Sequence, residues 1–278
     1  MKVEAVLFAQ REGYPFAIRP HCDGGKPMSG SSIRPLRSAQ QVDHPAGAHL
    51  PEHAHDTGQL IVVLRGTAAI SSEGGWWLAP PGLAIWVPPH CRHSAHYSES
   101  SSLVTLLMAP GADDRVPVRC GIIAVSPLMR ELALEGAREY EAAEVRSDLV
   151  GRLLLEQMSG RALSPMLFVP DGRDPRLRAA IGLLRIDPGK SMTVAELARA
   201  VHTSPRTLSR LFLEETRMSY GRWRDHMRIV CAVDRLARGR SITATALELG
   251  YRSASSFTTL FTRSLGMPPR RYMSTLAS

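Results

Sequence analysis

Cysteine is scarce in this chain of 278 residues: Cys22, Cys91, Cys120 and Cys231 are scattered, and none forms a C-x-x-C pair. That spacing excludes a zinc ribbon or a disulfide framework and reads as free thiols in a reducing compartment. Long apolar runs are missing too. None approaches the roughly 18–20 residues needed to span a bilayer, which excludes an integral membrane protein built on helices. The opening stretch has one Lys, then Glu4, then an apolar run from Ala5 to Ala9, too short for a secretory signal core. A cytoplasmic protein without a membrane partner is expected. Lysine is nearly absent, at three of the 34 basic residues, so arginine carries the positive charge.

What is present is ordinary globular material. A hydrophobic share of 44% and a charged share of 22% argue against a disordered chain. The length suits two domains. The net charge of +8 is unevenly placed: residues 174–278 hold 18 Arg and Lys against 8 Asp and Glu, whereas residues 1–173 hold 16 against 18. Arginine-rich coding would raise Arg everywhere without concentrating net charge in one half. A basic half joined to a near-neutral half points to a polyanion-binding domain attached to something else.

Periodicity divides the chain at the same place. Residues 1–43, with Gly24, Gly25, Pro27, Gly30 and Pro35, read as mostly loop with short strands. From His44 to Met108 the pattern is β: Leu60–Leu64, Trp76–Leu78, Ile85–Val87 and Leu103–Met108 are short apolar runs between Gly, Pro and Ser clusters. Such spacing predicts a small barrel or sandwich. Trp76 and Trp77 should point to opposite faces, with core packing the expected role of any that faces inward. After Pro127 the period turns helical, with apolar stripes at Leu128, Leu132 and Leu134–Ala137 and at Leu149, Leu153, Leu154 and Met158. These stripes need cover, either from a second chain or from the barrel. Residues 161–174, with Pro165, Pro170 and Gly172, read as a linker. From Pro175 on, everything reads as helix and turn. Thr193 with Glu196 makes a capping box, and Ser204-Pro205 is a cap followed by Pro at the first helical position.

Within the basic half one layout occurs twice, in Val194–Phe212 and Ala244–Phe261. A short helix with small residues (Ala195, Ala198, Ala246) meets a tight turn. A second helix follows, with Leu208 and Leu211-Phe212 in one copy and Phe257 and Leu260-Phe261 in the other. This is a helix-turn-helix pattern. The helix between the copies, about 19 residues, spans roughly 28 Å, close to the ~34 Å between successive major-groove faces on one side of DNA. The residues Gly250-Tyr251, Ser253, Phe257, Phe261, Arg263, Gly266 and Pro269, together with the first motif, resemble the DNA-binding domain of the AraC/XylS family of bacterial transcription regulators. The resemblance covers nearly all of the last 100 residues. It maps the DNA-facing positions onto Arg206, Thr207, Ser209 and Arg210 in the first unit and Ser253, Ser255, Ser256, Thr258 and Thr259 in the second. Arginine suits guanine O6/N7, whereas Ser255 and Thr259 are short and fit backbone positioning. The plainer alternatives are a surface ion pair for Arg210 and solvated helix surface for Ser255 and Thr259.

Seven of the ten histidines lie between His44 and His96. Gly47–Gly66 resembles the first cupin motif, G-x5-H-x-H-x3-E-x6-G, with Gln59 in place of Glu. Gly82–His93 resembles the second, G-x5-P-x-G-x2-H, with His90 in place of Gly. Three imidazoles from His53, His55 and His93 suit Zn, Ni, Fe or Mn, whereas the neutral amide of Gln59 is a poor substitute for a carboxylate. Three readings stand: a divalent metal site, an effector pocket lined by His53, His55, Gln59, Trp86 and His93, or polar lining of the barrel.

The sequence therefore predicts an α+β protein of two domains. Residues 1–160 form a cupin-like β-barrel sensor with a helical dimerisation segment from about 127. Residues 161–174 form a linker. Residues 175–278 form an all-α DNA-binding domain, with helix-turn-helix units at about 193–214 and 242–264 joined by a long helix. The implied function is transcription regulation of nearby promoters, as activator or repressor, in response to a small-molecule effector. Its partners are double-stranded DNA, RNA polymerase and a second copy of the chain. The family branch suggested by His53–Leu60 and Trp86–Pro89 tends to control efflux or detoxification genes. The alternatives are a metal-dependent cupin enzyme (a dioxygenase or isomerase) with an appended helical domain, and nonspecific polyanion binding.

Overall fold

The computed structural model describes residues 34–112, 115–139, 144–159 and 167–276. Most of the segment expected as loop before Asp43 lies outside these residues, as does Cys22. Its last part is one of the expected strands, nine residues long: β1 (Leu36–His44). Only Leu36 and Ala39 are buried in it, because it pairs with one neighbour and forms a sheet edge, so its apolar signal is weak.

The strands β2 (His49–His53), β3 (Gly58–Arg65), β4 (Ala68–Ser72), β5 (Gly75–Ala79), β6 (Leu83–Val87), β7 (His93–His96), β8 (Ser101–Met108), β9 (Gly121–Ala124) and β10 (Phe168–Pro170) complete two five-stranded antiparallel sheets among the described residues. Their orders are β1-β8-β3-β6-β9 and β10-β5-β4-β7-β2. The first sheet has two covered faces, which is why β3 and β6 read as unbroken apolar runs. Ile61, Val63, Ile85 and Val87 point into the barrel. Leu60, Val62, Ala84 and Trp86 point the other way, against helices α1 (Pro127–Glu139) and α2 (Glu144–Met158). His90, where the cupin motif has Gly, takes the left-handed backbone that favours glycine, φ 62°.

The two helical stripes divide their faces. Met129, Ala133, Val150, Leu154, Leu155 and Met158 are buried on the first sheet, while Leu128, Val145, Leu149 and Leu153 are exposed. Both kinds of cover considered for them are thus left in play, one per face.

The expected linker is a correction. Residues 161–166 lie outside the described ones, but Phe168–Pro170 is the strand β10, paired with β5 and buried. Phe168 packs on Trp77 with ring centroids 4.5 Å apart, and a Cβ at Gly75 would meet the Val169 carbonyl at 2.3 Å. A proline at the end of a sheet-edge strand is compatible with pairing, so Pro170 does not free the chain here.

The remaining helices are α3 (Pro175–Ile186), α4 (Val194–Ala200), α5 (Pro205–Thr216), α6 (Tyr220–Ala237), α7 (Ile242–Glu248), α8 (Ala254–Leu265) and α9 (Pro269–Leu276). Caps set most of their starts: Asp174, Thr193, Ser204, Ser219, Ser241 and Ser253 each accept a hydrogen bond from a backbone N–H of the first turn. The capping box of Thr193 and Glu196 is complete.

The two domains share one apolar core. Polar contacts add to it. Trp223 Nε1–H donates to the Pro170 carbonyl (2.8 Å) and His226 Nε2–H to that of Phe168 (2.6 Å). Thr67 Oγ1–H donates to Asp234 (2.6 Å), and Arg238 pairs with Glu99 at 3.4 Å. The long helix α6 is therefore docked on the barrel along much of its length.

Candidate functional sites: a helix pair facing DNA and a histidine cluster

In each helix-turn-helix unit buried apolar side chains fix the second helix. Leu208, Leu211 and Phe212 are buried in α5, and Phe257 and Phe261 in α8, with Leu260 half-buried. Ala198 and Ala246 are fully buried at the helix crossings, as expected. Ala195 is exposed, a correction: it sits in the first turn of α4, ahead of the crossing.

The outward faces carry the expected residues. Arg206, Ser209 and Arg210 are exposed on α5, with Thr207 half-buried. Arg210 Nη1 lies 2.7 Å from Glu214 Oε2, both side chains more than half exposed, which realises the ion pair foreseen as its plainer role. On α8, Ser255, Ser256 and Thr259 are exposed and Thr258 is half-buried. Ser253 is engaged as the N-cap, accepting from Ser256 N–H at 3.1 Å, and Thr207 Oγ1 lies 2.9 Å from the Ser204 hydroxyl. These two side chains thus already have partners that set the helix starts.

One positioning residue went unforeseen. Arg228, on α6, is 5% exposed. Its guanidinium donates to the carbonyls of Pro188 (2.8 Å), Gly189 (3.2 Å) and Lys190 (3.2 Å). These carbonyls end the turn after α3, and Gly189 in turn abuts the end of α7, where an added Cβ would meet the Glu248 carbonyl at 2.2 Å. Arg228 therefore fixes the first unit against the second. Burial, with Arg224 next, lowers its pKa. Its sequence signal was a basic residue among the apolar positions Met227, Ile229 and Val230 of α6.

The histidine cluster lies at the open end of the barrel. His53 ends β2 and pairs directly with His93, the first residue of β7. His55 lies in the turn beyond β2, and Gln59 reaches in from β3 of the other sheet. The three possible ligand nitrogens lie within 4.8 Å of one another. Each ring is held the same way. Nδ1 faces a backbone carbonyl: Pro51 for His53 (2.9 Å), Thr57 for His55 (2.6 Å) and Cys91 for His93 (2.9 Å). A carbonyl only accepts, so each Nδ1 carries the proton and each Nε2 of a neutral ring is bare. Burial lowers the pKa of His93, opposed by its backbone bond and reinforced by His53 and His55, so that ring favours the neutral form. Gln59 Oε1 lies 3.1 Å from Nε2 of both His55 and His93. Acceptors thus converge on a common point, open to solvent on the side of exposed His53.

Trp86 is a correction. It stands opposite Leu60 on the helix side of the first sheet, 3% exposed, with Nε1–H donating to the Pro117 carbonyl at 2.6 Å. Strand alternation turns it away from Gln59, which shares its face with Ile61 and Val63. It does not line the cluster.

Comparison with known proteins bears on both sites. Residues 197–275 match the helix-turn-helix domain family and residues 38–167 the AraC-like ligand-binding domain family. The chain is 30% identical to the HTH-type transcriptional regulator NimR of Escherichia coli K12 over 230 residues, covering 82% of this chain and 84% of that one. This chain belongs to the AraC/XylS family of transcription regulators. It is also 23% identical to the HTH-type transcriptional activator RhaS of Escherichia fergusonii, over 81% of this chain and 88% of that one. Among solved structures it is similar to ToxT of Vibrio cholerae bound to unsaturated fatty acid, at 13% identity and a TM-score of 0.36, covering 84% of this chain and 93% of that one. As a member of the AraC/XylS family, it is a DNA-binding transcription regulator that carries a ligand-binding domain. Among the described residues no helix is long and apolar enough to cross a membrane.

Proposed function

We propose that this AraC/XylS regulator acts in the cytoplasm as a homodimer on promoter DNA, reads its operator mainly through α5, and holds a divalent transition metal at His53, His55 and His93 as all or part of its effector site. The observation that supports the metal is the shared hydrogen-bond pattern of the three rings. Each Nδ1–H is anchored to a backbone carbonyl, the arrangement that presents Nε2 as a ligand. Two of the bare nitrogens then face the Gln59 oxygen across 3.1 Å, which is repulsive unless a cation lies between them. The spacing suits adjacent ligands of one ion, which stand about 3.0–3.4 Å apart for bonds near 2.1 Å. The metal-free arrangement of the same residues is a turned Gln59 amide, whose NH2 donates to both nitrogens. A bound metal would supply charge and open coordination positions for a small anionic or polar effector.

Arg206 and Arg210 supply guanine-directed donors, and the exposed Arg199, Arg222, Arg252, Arg263, Arg270 and Arg271 add charge for phosphates. The exposed row Leu128, Val145, Leu149 and Leu153 on α1 and α2 is the face offered to a second copy. RNA polymerase contact and control of efflux or detoxification genes complete the reading.

The test has two arms. Metal analysis of the purified chain, followed by titration with Zn, Ni, Fe and Mn, should give one ion per chain, lost on His93→Ala. Recovery of genomic fragments on the metal-loaded and the stripped protein should return a few sharply enriched sites with paired half-sites. Sharp sites without any metal binding would leave the regulator and remove the metal. Metal binding with no enriched site in either state would remove the operator-reading assignment.

A further inference from the structure

A second chemical site lies next to the histidine cluster. Cys91, in the loop between β6 and β7, and Cys120, immediately before β9, bring their Sγ atoms to 3.2 Å. The two are 29 residues apart in sequence, and both are half-buried. The register of β6 with β9, Trp86 opposite Gly121, carries Cys120 to the end of β6 from which the Cys91 loop departs. The contact is thus built by the sheet. The sulfurs stand only about 1.2 Å beyond the length of a disulfide bond, roughly 2.05 Å, so side-chain rotation with little backbone movement would close it.

We propose that Cys91 and Cys120 form a reversible dithiol site, converted to an intramolecular disulfide by a two-electron thiol oxidant such as a hydroperoxide. The electrons balance in two displacements. One thiolate attacks a peroxide oxygen and the O–O bond breaks, leaving a sulfenic acid and, after proton uptake, one molecule of water. The second thiolate then attacks that sulfur, the S–O bond breaks and a second molecule of water leaves. Two thiols lose two protons and two electrons, and one hydrogen peroxide becomes two waters. A small-molecule disulfide would act by exchange, releasing two thiols. The bond would tie the β6–β7 loop to β9. The Cys91 carbonyl that fixes His93 belongs to the same loop, so oxidation acts at the mouth of the barrel. Cys231, against Met227 Sδ at 3.7 Å, has its thiol pushed up to about 11 by burial and serves as an internal control.

The native full-length protein, stripped of metal, is treated with an equivalent of hydrogen peroxide and alkylated in denaturant before mass mapping. The expected result is a loss of about 2 Da per chain before alkylation, two fewer alkyl groups than the reduced control after it, and a linked peptide pair containing Cys91 and Cys120, all reversed by dithiothreitol. The linked pair needs no variant, so it stands even if Cys91→Ser or Cys120→Ser fails to fold. Where those variants fold, each abolishes the mass loss. Oxygen added to single cysteines without a linked pair, or links between chains only, would overturn the proposal. Stripping the metal first keeps this result separate from the fate of the metal reading.

Discussion

The two recognition helices are built alike and finished differently. Both α5 and α8 are twelve residues long, begin on a serine cap and bury two large side chains in the same relative places. Their outward faces diverge: α5 offers Arg206 and Arg210, α8 offers Ser255, Ser256 and Thr259. Similar interiors with unlike exteriors mean that one fold requirement has been met twice while the work on DNA is divided. Long guanidinium groups reach base edges and phosphates, whereas short hydroxyls need close approach of the helix itself. The first unit is thus suited to sequence readout and the second to placement on the duplex.

The sameness of the interiors gives the largest expected effect. Phe212 and Phe257 are both fully buried, and Phe→Ala in a packed core costs about 3–5 kcal/mol. Phe212→Ala and Phe257→Ala should therefore destabilise the chain to a similar degree in denaturant titrations. A loss in one far below the other would show that the two units do not share one cooperative core.

The unlike exteriors give the next effect. Arg206→Ala or Arg210→Ala should each cost about 1–3 kcal/mol in operator affinity, roughly five- to 150-fold, with relaxed sequence preference. Ser255→Ala or Thr259→Ala should lower affinity only slightly and leave preference intact. Selection of binding sites by each variant reads both quantities. Loss of preference on Thr259→Ala would reverse the assignment of readout to the first unit.

Matching caps give a smaller, symmetrical effect. Ser204 and Ser253 each accept a first-turn N–H at 3.1 Å, and removing such a cap costs about 1 kcal/mol. Ser204→Ala and Ser253→Ala should shift the unfolding midpoint alike. A cap at Ser253 that proved neutral for stability but costly for DNA affinity would return it to the contact set.

Much of this is legible in the sequence. The helix-turn-helix units announce themselves because local rules suffice there: Thr193 with Glu196, Ser204-Pro205 and the Leu-Phe or Phe-Phe spacing all act within a few residues. The barrel is legible only where alternation or apolar runs are strong. The bounds of β1 are not legible because an edge strand buries just Leu36 and Ala39. β10 reads as linker because Pro165, Pro170 and Gly172 dominate the local sequence, while the partner of its three buried residues, β5, lies some ninety residues earlier. Trp86 was placed at the cluster by its nearness in a motif, but its side depends on register with Leu60, which no local pattern contains. The helix α9 starts at Pro269, after Gly266, within a stretch that reads as helix and turn but does not mark it as a separate element. His53, His55, Gln59 and His93 were found together because spacing and strand ends coincide. The common anchoring of their Nδ1 atoms is a property of loop carbonyls that only the folded chain displays.

The finest distinction between the helices is an ion pair present on one of them. Arg210 and Glu214 are one helical turn apart, at 2.7 Å and exposed; α8 has Thr259 and Arg263 at the equivalent positions. Such a pair contributes about 0.3–0.5 kcal/mol to a helix, so Glu214→Gln should barely move the unfolding midpoint. Its effect on DNA should be opposite in sign. Glu214 competes with the duplex for Arg210 and places a negative charge near phosphates, so its neutralisation should tighten operator binding by a few-fold at low salt. The gain should shrink as salt rises, because the surplus is electrostatic. Affinity that falls on Glu214→Gln would mean that the carboxylate holds Arg210 in its reading position in the complex. Affinity unchanged at every salt concentration would place Arg210 away from the duplex and leave Arg206 to carry the difference between the two helices.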